Sequence, residues 1–426
     1  MLKSITFPPS LVFVFFFFFF FFFFFFFFFY PAAAARYNVV SYGAKANGKT
    51  DSTGAFLKAW AMACGSVGPA EIYMPPGRYL LNQAVRFGGK CNNNRTMIRI
   101  DGTLLAPSDY RVLGSSERWI TFQGVNGVFV YGGTLDGQGS SLWSCKAAGK
   151  SCPVGARSLS FVNSRNIVIS GLSSINSQLF HITIGGCHNV HVRGVTLTAP
   201  GDSPNTDGIH VESSRRVAIV SSSMRTGDDC ISIGPATRNV WIENIACGPG
   251  HGISIGSLGW SLNEAGVQNV TVKTVTFTGT QNGLRIKTWG RPSKGFVKGV
   301  LYQNAIMKNV ENPIIIDQNY CPHNKDCPGQ ASGVKISNVR YKHIQGTSAT
   351  QVTVKFDCSS KNPCTGIALE DVKLSYNETK RPNHLVLIVL QFACLELHNL
   401  DYLQNVSSSC GTFGKTAAEL LWRAEK

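Results

Sequence analysis

Short runs in which Ile and Val alternate with polar residues, each closed by Gly, Asn or Ser, recur through the middle of the chain. Asn166-Ile-Val-Ile-Ser-Gly, Asn189-Val-His-Val-Arg-Gly, Arg216-Val-Ala-Ile-Val, Asn239-Val-Trp-Ile-Glu-Asn and Asn269-Val-Thr-Val-Lys start 23, 27, 23 and 30 residues apart. A second series interleaves with them: Ser158-Leu-Ser-Phe, His181-Ile-Thr-Ile, Gly208-Ile-His-Val, Cys230-Ile-Ser-Ile and Gly252-Ile-Ser-Ile. Period-2 alternation marks strands with one face buried. No helical period separates them, so a strand–helix–strand crossover has no room, and a propeller blade takes about 40 residues. The pattern predicts an all-β protein, a parallel β-helix in which each coil stacks on the last and buries its Ile and Val inside. Near-constant spacing argues against a β-sandwich. A solenoid needs covered ends, and Asp51 to Cys64 suits the first. Asp51 can cap a helix, and Phe56, Trp60 and Ala63 share one face. From about Glu378 the repeat is lost, and Ala417 to Glu425 carries a helical pattern.

The N-terminus departs from this pattern. Lys3 precedes an apolar block, Leu11 to Tyr30, with unbroken Phe from Phe15 to Phe29, followed by Pro31 and Ala32 to Ala35. A basic start, an apolar centre and an A-x-A end predict a secretory signal over residues 1–35, cleaved after Ala35 and leaving no membrane attachment. The competing reading is an uncleaved anchor, since about 20 apolar residues can span a bilayer. Export permits disulfides. The spacing of the 13 Cys offers local pairs: 64 with 91, 145 with 152, 230 with 247, 321 with 327, 358 with 364 and 394 with 410. Cys187 is left over as a buried thiol. Sequons begin at Asn94, Asn269, Asn377 and Asn405. With 40 Lys and Arg against 24 Asp and Glu, the net charge is +16. That excess predicts an acidic partner: nucleic acid, a membrane surface or an anionic polysaccharide.

The repeat also serves as a ruler for candidate chemistry. Asp207 in Asn205-Thr-Asp-Gly, Asp229 in Gly227-Asp-Asp-Cys and His251 in Gly250-His-Gly are each 22 residues apart, about one coil, which stacks them in one column. Adjacent coils lie about 4.8 Å apart, so Asp207 and Asp229 can share a water. Asp228 would face the other way in a regular strand, and Gly227 could supply the bend that brings both acids outward. Arg285 and Lys287 lie on one strand face. Carboxylates beside two cations suit an anionic substrate and proton transfer, and mutual repulsion should raise one carboxyl pKa so that a neutral acid is available. Taken singly, an Asp-Gly, a Gly-Asp-Asp or a His between glycines is a turn, and Arg-x-Lys a solvated face. Their order on one column makes the difference. No CxxC pairs or HExxH occur, so structural zinc is not indicated.

These residues resemble those of the plant polygalacturonases, pectin-degrading glycoside hydrolases built on a right-handed parallel β-helix. The matching stretches are Pro204-Asn-Thr-Asp-Gly-Ile-His-Val, Thr226-Gly-Asp-Asp-Cys-Ile-Ser-Ile, Cys247-Gly-Pro-Gly-His-Gly-Ile-Ser-Ile-Gly-Ser and Arg285-Ile-Lys, with Tyr37-Asn-Val-Val-Ser-Tyr-Gly-Ala and Asn319-Tyr-Cys beside them. The resemblance runs from about Tyr37 to Tyr376, implying a catalytic β-helix over residues 36–376. It implies that Asp228 is the general acid and that Asp207 and Asp229 activate water on the opposite face, inverting the anomeric centre. Inverting enzymes in general leave room for that water by holding their carboxyls about 6.5–9.5 Å apart. By the same resemblance His251 holds or tunes Asp228, Arg285 and Lys287 bind the galacturonate carboxylate, Tyr320 lines the cleft and Asn205 contacts substrate. No metal or other cofactor is implied. Residues 377–426 depart from the family, where further coil and a Cys-rich ending are expected; here stands His384-Leu-Val-Leu-Ile-Val-Leu.

The expectation is therefore a secreted, extracellular, monomeric polygalacturonase of the plant cell wall, hydrolysing the α-1,4 bonds of homogalacturonan. Competing readings are a pectin-binding wall protein without turnover, a related rhamnogalacturonan or xylogalacturonan hydrolase, and a pectate lyase. A lyase would want calcium ligands and an arginine base. A nucleic-acid binder rests on charge alone, against the signal sequence and scattered basic residues. Ser332-Gly-Val-Lys-Ile-Ser and Gly346-Thr-Ser-Ala-Thr lean toward exo-acting plant members, without deciding between endo and exo action.

Overall fold

The computed structural model describes residues 34–376, together with the backbone strands Leu385–Gln391, Ala393–His398 and Ala418–Arg423. Residues 1–33 of the expected signal sequence and the sequons at Asn377 and Asn405 lie outside them. Among the described residues, no helix is long and apolar enough to cross a membrane.

The chain winds as a right-handed parallel β-helix, whose strands form one sheet of nineteen and one of twelve among the described residues. Each coil crosses the smaller sheet, turns, and returns through the larger one. In the smaller sheet the register stacks Ile182, Ile209, Ile231, Ile253, Leu284 and Ile314 in one column. Two residues on, Phe161, Ile184, Val211, Ile233, Ile255, Ile286 and Ile316 form a second. All are fully buried or nearly so. The intervening positions point outward and make the floor on which the site is built: Ser160, Thr183, His210, Ser232, Ser254 and Arg285. This is the period-2 pattern of the sequence turned into an inside and an outside.

The long strands of the larger sheet bend where one residue takes a left-handed conformation. Asn244 (φ 57°), Thr274 (φ 54°) and Asn304 (φ 54°) stand at equivalent places in successive coils. Asn adopts this conformation at less cost than other side chains.

The helix Thr53–Gly65 covers the N-terminal end. Trp60 packs at a tilt against Phe87 and edge-on against Phe122, at 5.4 and 5.7 Å between ring centres, and its indole N–H donates to the Gly88 carbonyl at 3.0 Å. Phe87, Phe122 and Phe161 stack below it at 5.0 Å intervals. Asp51 lies one residue before the cap position held by Ser52, and its carboxylate accepts from the Thr53 backbone N–H at 2.9 Å. Five disulfides join the expected local pairs, 64–91, 145–152, 230–247, 321–327 and 358–364, and Cys187 is a buried free thiol. The pair 394–410 involves a residue outside the described ones.

The C-terminal segment differs from its sequence reading. Leu385–Gln391 pairs parallel with Val352–Asp357, and Ala393–His398 with Cys364–Tyr376, so the coil continues after the recognisable repeat ends. A short unbroken apolar run is compatible with a strand even without alternation. The helix expected over 417–425 is instead the strand Ala418–Arg423, antiparallel to Leu385–Gln391. An open sheet edge offers a row of unpaired backbone groups, and pairing with it overrides a weak helical period.

Candidate active site

The candidate residues gather at the N-terminal ends of the smaller sheet's strands and on its outer face. Asp207 and Asp229 precede Ile209–Glu212 and Ile231–Ile233, and His251 precedes Ile253–Leu258. The Gly208 N–H donates to the Asp229 carbonyl at 2.9 Å, and the His251 N–H to that of Asp228 at 2.8 Å, so the expected column exists in the backbone. The side chains divide into two groups.

Asp207 and Asp229 are buried and bonded to the floor. Asp229, whose side chain is 1% exposed, receives Arg285 on Oδ1 and Lys287 on Oδ2, both at 2.8 Å, and Ser254 Oγ at 2.7 Å. Arg285 Nε also donates to Ser254 Oγ at 2.9 Å. Burial by itself would raise the Asp229 carboxyl, but the Lys287 and Arg285 charges outweigh it and hold the group at about 2. Asp207 accepts one hydrogen bond, from Ser232 Oγ at 2.7 Å. Burial, then the neighbouring Asp228 and Asp229 charges, raise its pKa well above the ordinary carboxyl value. Burial, reinforced by repulsion within the cluster, thus raises one acid of the site, and that acid is Asp207.

Asp228 and His251 are the open members, with side chains 16% and 36% exposed. Asp228 Oδ1 lies 3.0 Å from His251 Nδ1 and accepts from the Asp229 N–H at 2.7 Å, while Asn205 Nδ2 donates to Oδ2 at 3.4 Å. The Cys230–Cys247 disulfide ties the Asp228-Asp229 turn to the one that presents His251.

Glycines make this closeness possible, for a reason other than the bend expected of Gly227. A Cβ on Gly227 would stand 2.1 Å from the Ser203 carbonyl oxygen, so the turn nests against its neighbour only without a side chain. Gly250 has φ +136°, and a Cβ there would meet the Asp228 carbonyl oxygen at 2.5 Å.

Tyr320 joins the cations: Lys287 Nζ lies 5.2 Å from its ring centre. Edge-to-face contacts run from Tyr320 to Trp289 and on to Trp260, at 5.3 and 4.9 Å. Trp260 is 56% exposed and has Arg291 4.1 Å above its ring. The sequence reading named Tyr320 but missed Trp260, Trp289 and the two serines. Trp289 was legible as the next outward residue after Arg285 and Lys287. Ser232 and Ser254 were legible as the polar positions of Ile-Ser-Ile runs. Trp260 lies in the insertion that lengthens the step from Ile253 to Leu284, and had no such signal.

Asp228, Asp229 and His251 could offer three ligand atoms to a cation within 4.8 Å of one another. Both Asp229 oxygens already accept from Arg285, Lys287 and Ser254, and two fixed positive charges stand beside them. This donor set suits proton transfer better than a divalent ion.

The opposite shifts of the two buried acids predict a pH dependence of stability. A raised carboxyl pKa stabilises the fold below its unfolded value, near 3.9, and that contribution is lost as pH rises through the folded pKa. Asp207→Asn should therefore flatten the decline in unfolding temperature between pH 4 and pH 8. Thermal unfolding across that range checks this; an unchanged slope would place the proton elsewhere.

The sequence profile described as glycosyl hydrolases family 28 matches residues 64–387. The chain belongs to this family. It is 64% identical over 341 residues to a polygalacturonase of Prunus persica, covering 80% of this chain and 86% of that one. It is 42% identical over 350 residues to an exopolygalacturonase of Platanus acerifolia, covering 81% and 92%. Among solved structures, an endo-xylogalacturonan hydrolase from Aspergillus tubingensis superimposes with a TM-score of 0.73 at 24% identity, over 80% of this chain and 93% of that one. This last likeness concerns the fold.

Proposed function

We propose that this family 28 hydrolase is a secreted, monomeric polygalacturonase of the plant cell wall, cutting the galacturonosidic bonds of homogalacturonan with inversion. The observation that carries the proposal is the unequal placing of the three acids beside two cations. Arg285 and Lys287 share one carboxylate, Asp229, which leaves one positive charge for a carboxylate on the substrate. A guanidinium can hold such a group through two parallel bonds.

Asp228, the accessible acid, protonates the glycosidic oxygen as the bond breaks, with His251 and Asn205 fixing its carboxyl. Water attacks from the opposite face and gives its proton to the buried pair. At about 2, Asp229 is a weak base. Asp207, when ionised, is the stronger one, since proton transfer improves as the base's pKa approaches the working pH. Asp229 then serves to hold the cations and orient the water. Tyr320 lines the same cleft.

Trp260 and Trp289 offer rings beside the cations on which a sugar can rest. Trp260→Ala should raise KM on polygalacturonate roughly 2- to 10-fold, the size of a single aromatic contact, with kcat nearly unchanged. Steady-state kinetics separate the two effects, and a fall in kcat alone would remove Trp260 from substrate binding.

The deciding experiment is reducing-end release from polygalacturonic acid by the purified protein, with product sizes resolved. Release of monomer alone identifies exo action, and a spread of oligomers endo action. Binding without release would instead make the chain a pectin-binding wall protein. Faster release from xylogalacturonan would favour the substituted polymer.

A further inference from the structure

The basic residues look scattered along the chain, but the coils bring several of them into one row. Arg165, His188, Arg215 and Arg238 pair in register at the starts of successive strands of the larger sheet, and the same row continues through Gln268 to Lys298. Neighbouring strands lie about 4.8 Å apart, so the row carries a basic group on nearly every coil. His188, Arg215, Arg216 and Arg238 line a surface groove of about 530 Å³, with Asn239, Gln268 and Asn269 at one end. No carboxylate lines it. Glu212, which ends the strand before Arg215, faces His210 at 3.7 Å, and Glu243, on the strand that Arg238 begins, faces Lys273 at 3.9 Å. Partial burial, and then the charges of Arg215, Arg216 and Arg165, hold the His188 imidazole below its usual range.

Arg216 adds a second observation. It has φ +55° at the place where Asn166, Asn189, Asn239 and Asn269 have φ of 55°, 60°, 57° and 55° in other coils. Those asparagines bond coil to coil, Asn189 Nδ2 to Asn166 Oδ1 at 2.7 Å and Asn269 Nδ2 to Asn239 Oδ1 at 3.2 Å. Asn suits a left-handed conformation and Arg does not. At this coil the fold forgoes the better residue for a cation facing the groove.

We propose that this groove is a second binding site for a polygalacturonate chain, laid along the helix axis and tethering the protein to the polymer it cuts. The identity of the occupant rests on the polygalacturonase reading. A compact anion would be satisfied by one or two of these groups, whereas a row across four coils fits an extended polymer with a carboxylate on every sugar. No Phe, Tyr or Trp lines the groove, so it lacks the row of stacking platforms of a single-stranded nucleic-acid site. The groove is separate from the acid cluster: Asp207 precedes the strand Ile209–Glu212 and Arg215 follows it.

The test compares the parent with Arg215→Gln/Arg216→Asn/Arg238→Gln. Both carry Thr271→Val, which removes the sequon at Asn269 and keeps any glycan out of the groove. Sedimentation with insoluble calcium-free polygalacturonate at low salt should weaken about 10-fold in the triple variant, the size three exposed ion pairs supply. KM on long polygalacturonate should rise by a similar factor and lose much of its salt dependence, while kcat/KM on trigalacturonate stays unchanged and certifies the fold. Replacing the same three arginines by Lys should restore sedimentation. Equal sedimentation and equal polymer KM in parent and triple variant would overturn the proposal, as would tighter retention of the parent by RNA than by polygalacturonate at the same salt. A parent inactive on both substrates, yet sedimenting more strongly than the triple variant, would sink the hydrolase reading and leave the groove standing.

Discussion

Asp228→Asn should lower kcat on polygalacturonate by roughly 10²- to 10⁴-fold, the usual contribution of a positioned proton donor. Asn has nearly the same shape and keeps an oxygen for the Asp229 N–H, which lies 2.7 Å from Asp228 Oδ1. It cannot deliver a proton to the leaving oxygen. Because Asp228 is the most open of the three acids and bonds only neutral groups and His251, little of the fold depends on its charge. The expected signature is thus a loss confined to kcat, with binding of polygalacturonate and unfolding temperature close to the parent's. Equal kcat in both proteins would mean that another group donates the proton, and Asp207, whose carboxyl is raised, would be the first to examine.

The outline of this site was legible because a solenoid converts sequence spacing into distance. One coil in the region is 22 residues, Ile209 to Ile231 to Ile253, and three residues at that interval had to meet. The inner columns were legible too, since Ile and Val alternate with Ser, Thr and His wherever a strand has one buried face. What spacing does not give is the direction of each side chain. Asp228 and Asp229 are adjacent, and only the turn at Gly227, pressed against Ser203, decides that one is open and the other buried on Arg285 and Lys287. Nor does it show that both cations close on an acid of the protein itself. The continuation past Tyr376 was hidden for a different reason: Leu385 to Leu390 is apolar throughout and carries no period, so its partnership with Val352–Asp357 appears only in three dimensions.

Asp229→Asn should be the more damaging change for the fold. Asp229, Arg285 and Lys287 form a nearly dry triad, with side chains 1%, 10% and 9% exposed. Removing the anion leaves two cations, held two residues apart on one face of the strand Asn282–Trp289, with no counter-charge. Losing one partner of a buried ion pair costs about 3–5 kcal/mol, because the remaining charge stays out of water. The neutral amide recovers part of this by accepting one hydrogen bond, so the variant should unfold at a clearly lower temperature and denaturant concentration. Acid should act on the parent in the same sense. A carboxyl held at about 2 stabilises the fold at pH above its unfolded value, near 3.9, and that contribution disappears as pH falls toward 2. The parent should therefore lose stability steeply below pH 4, whereas Asp229→Asn, already without the charge, should show a shallower loss. Adding Lys287→Met to Asp229→Asn removes one of the unpaired cations and should recover stability without recovering activity. Recovery of neither would show that the triad contributes little to the fold, and that the cost of Asp229→Asn lies in the serine and backbone contacts around it.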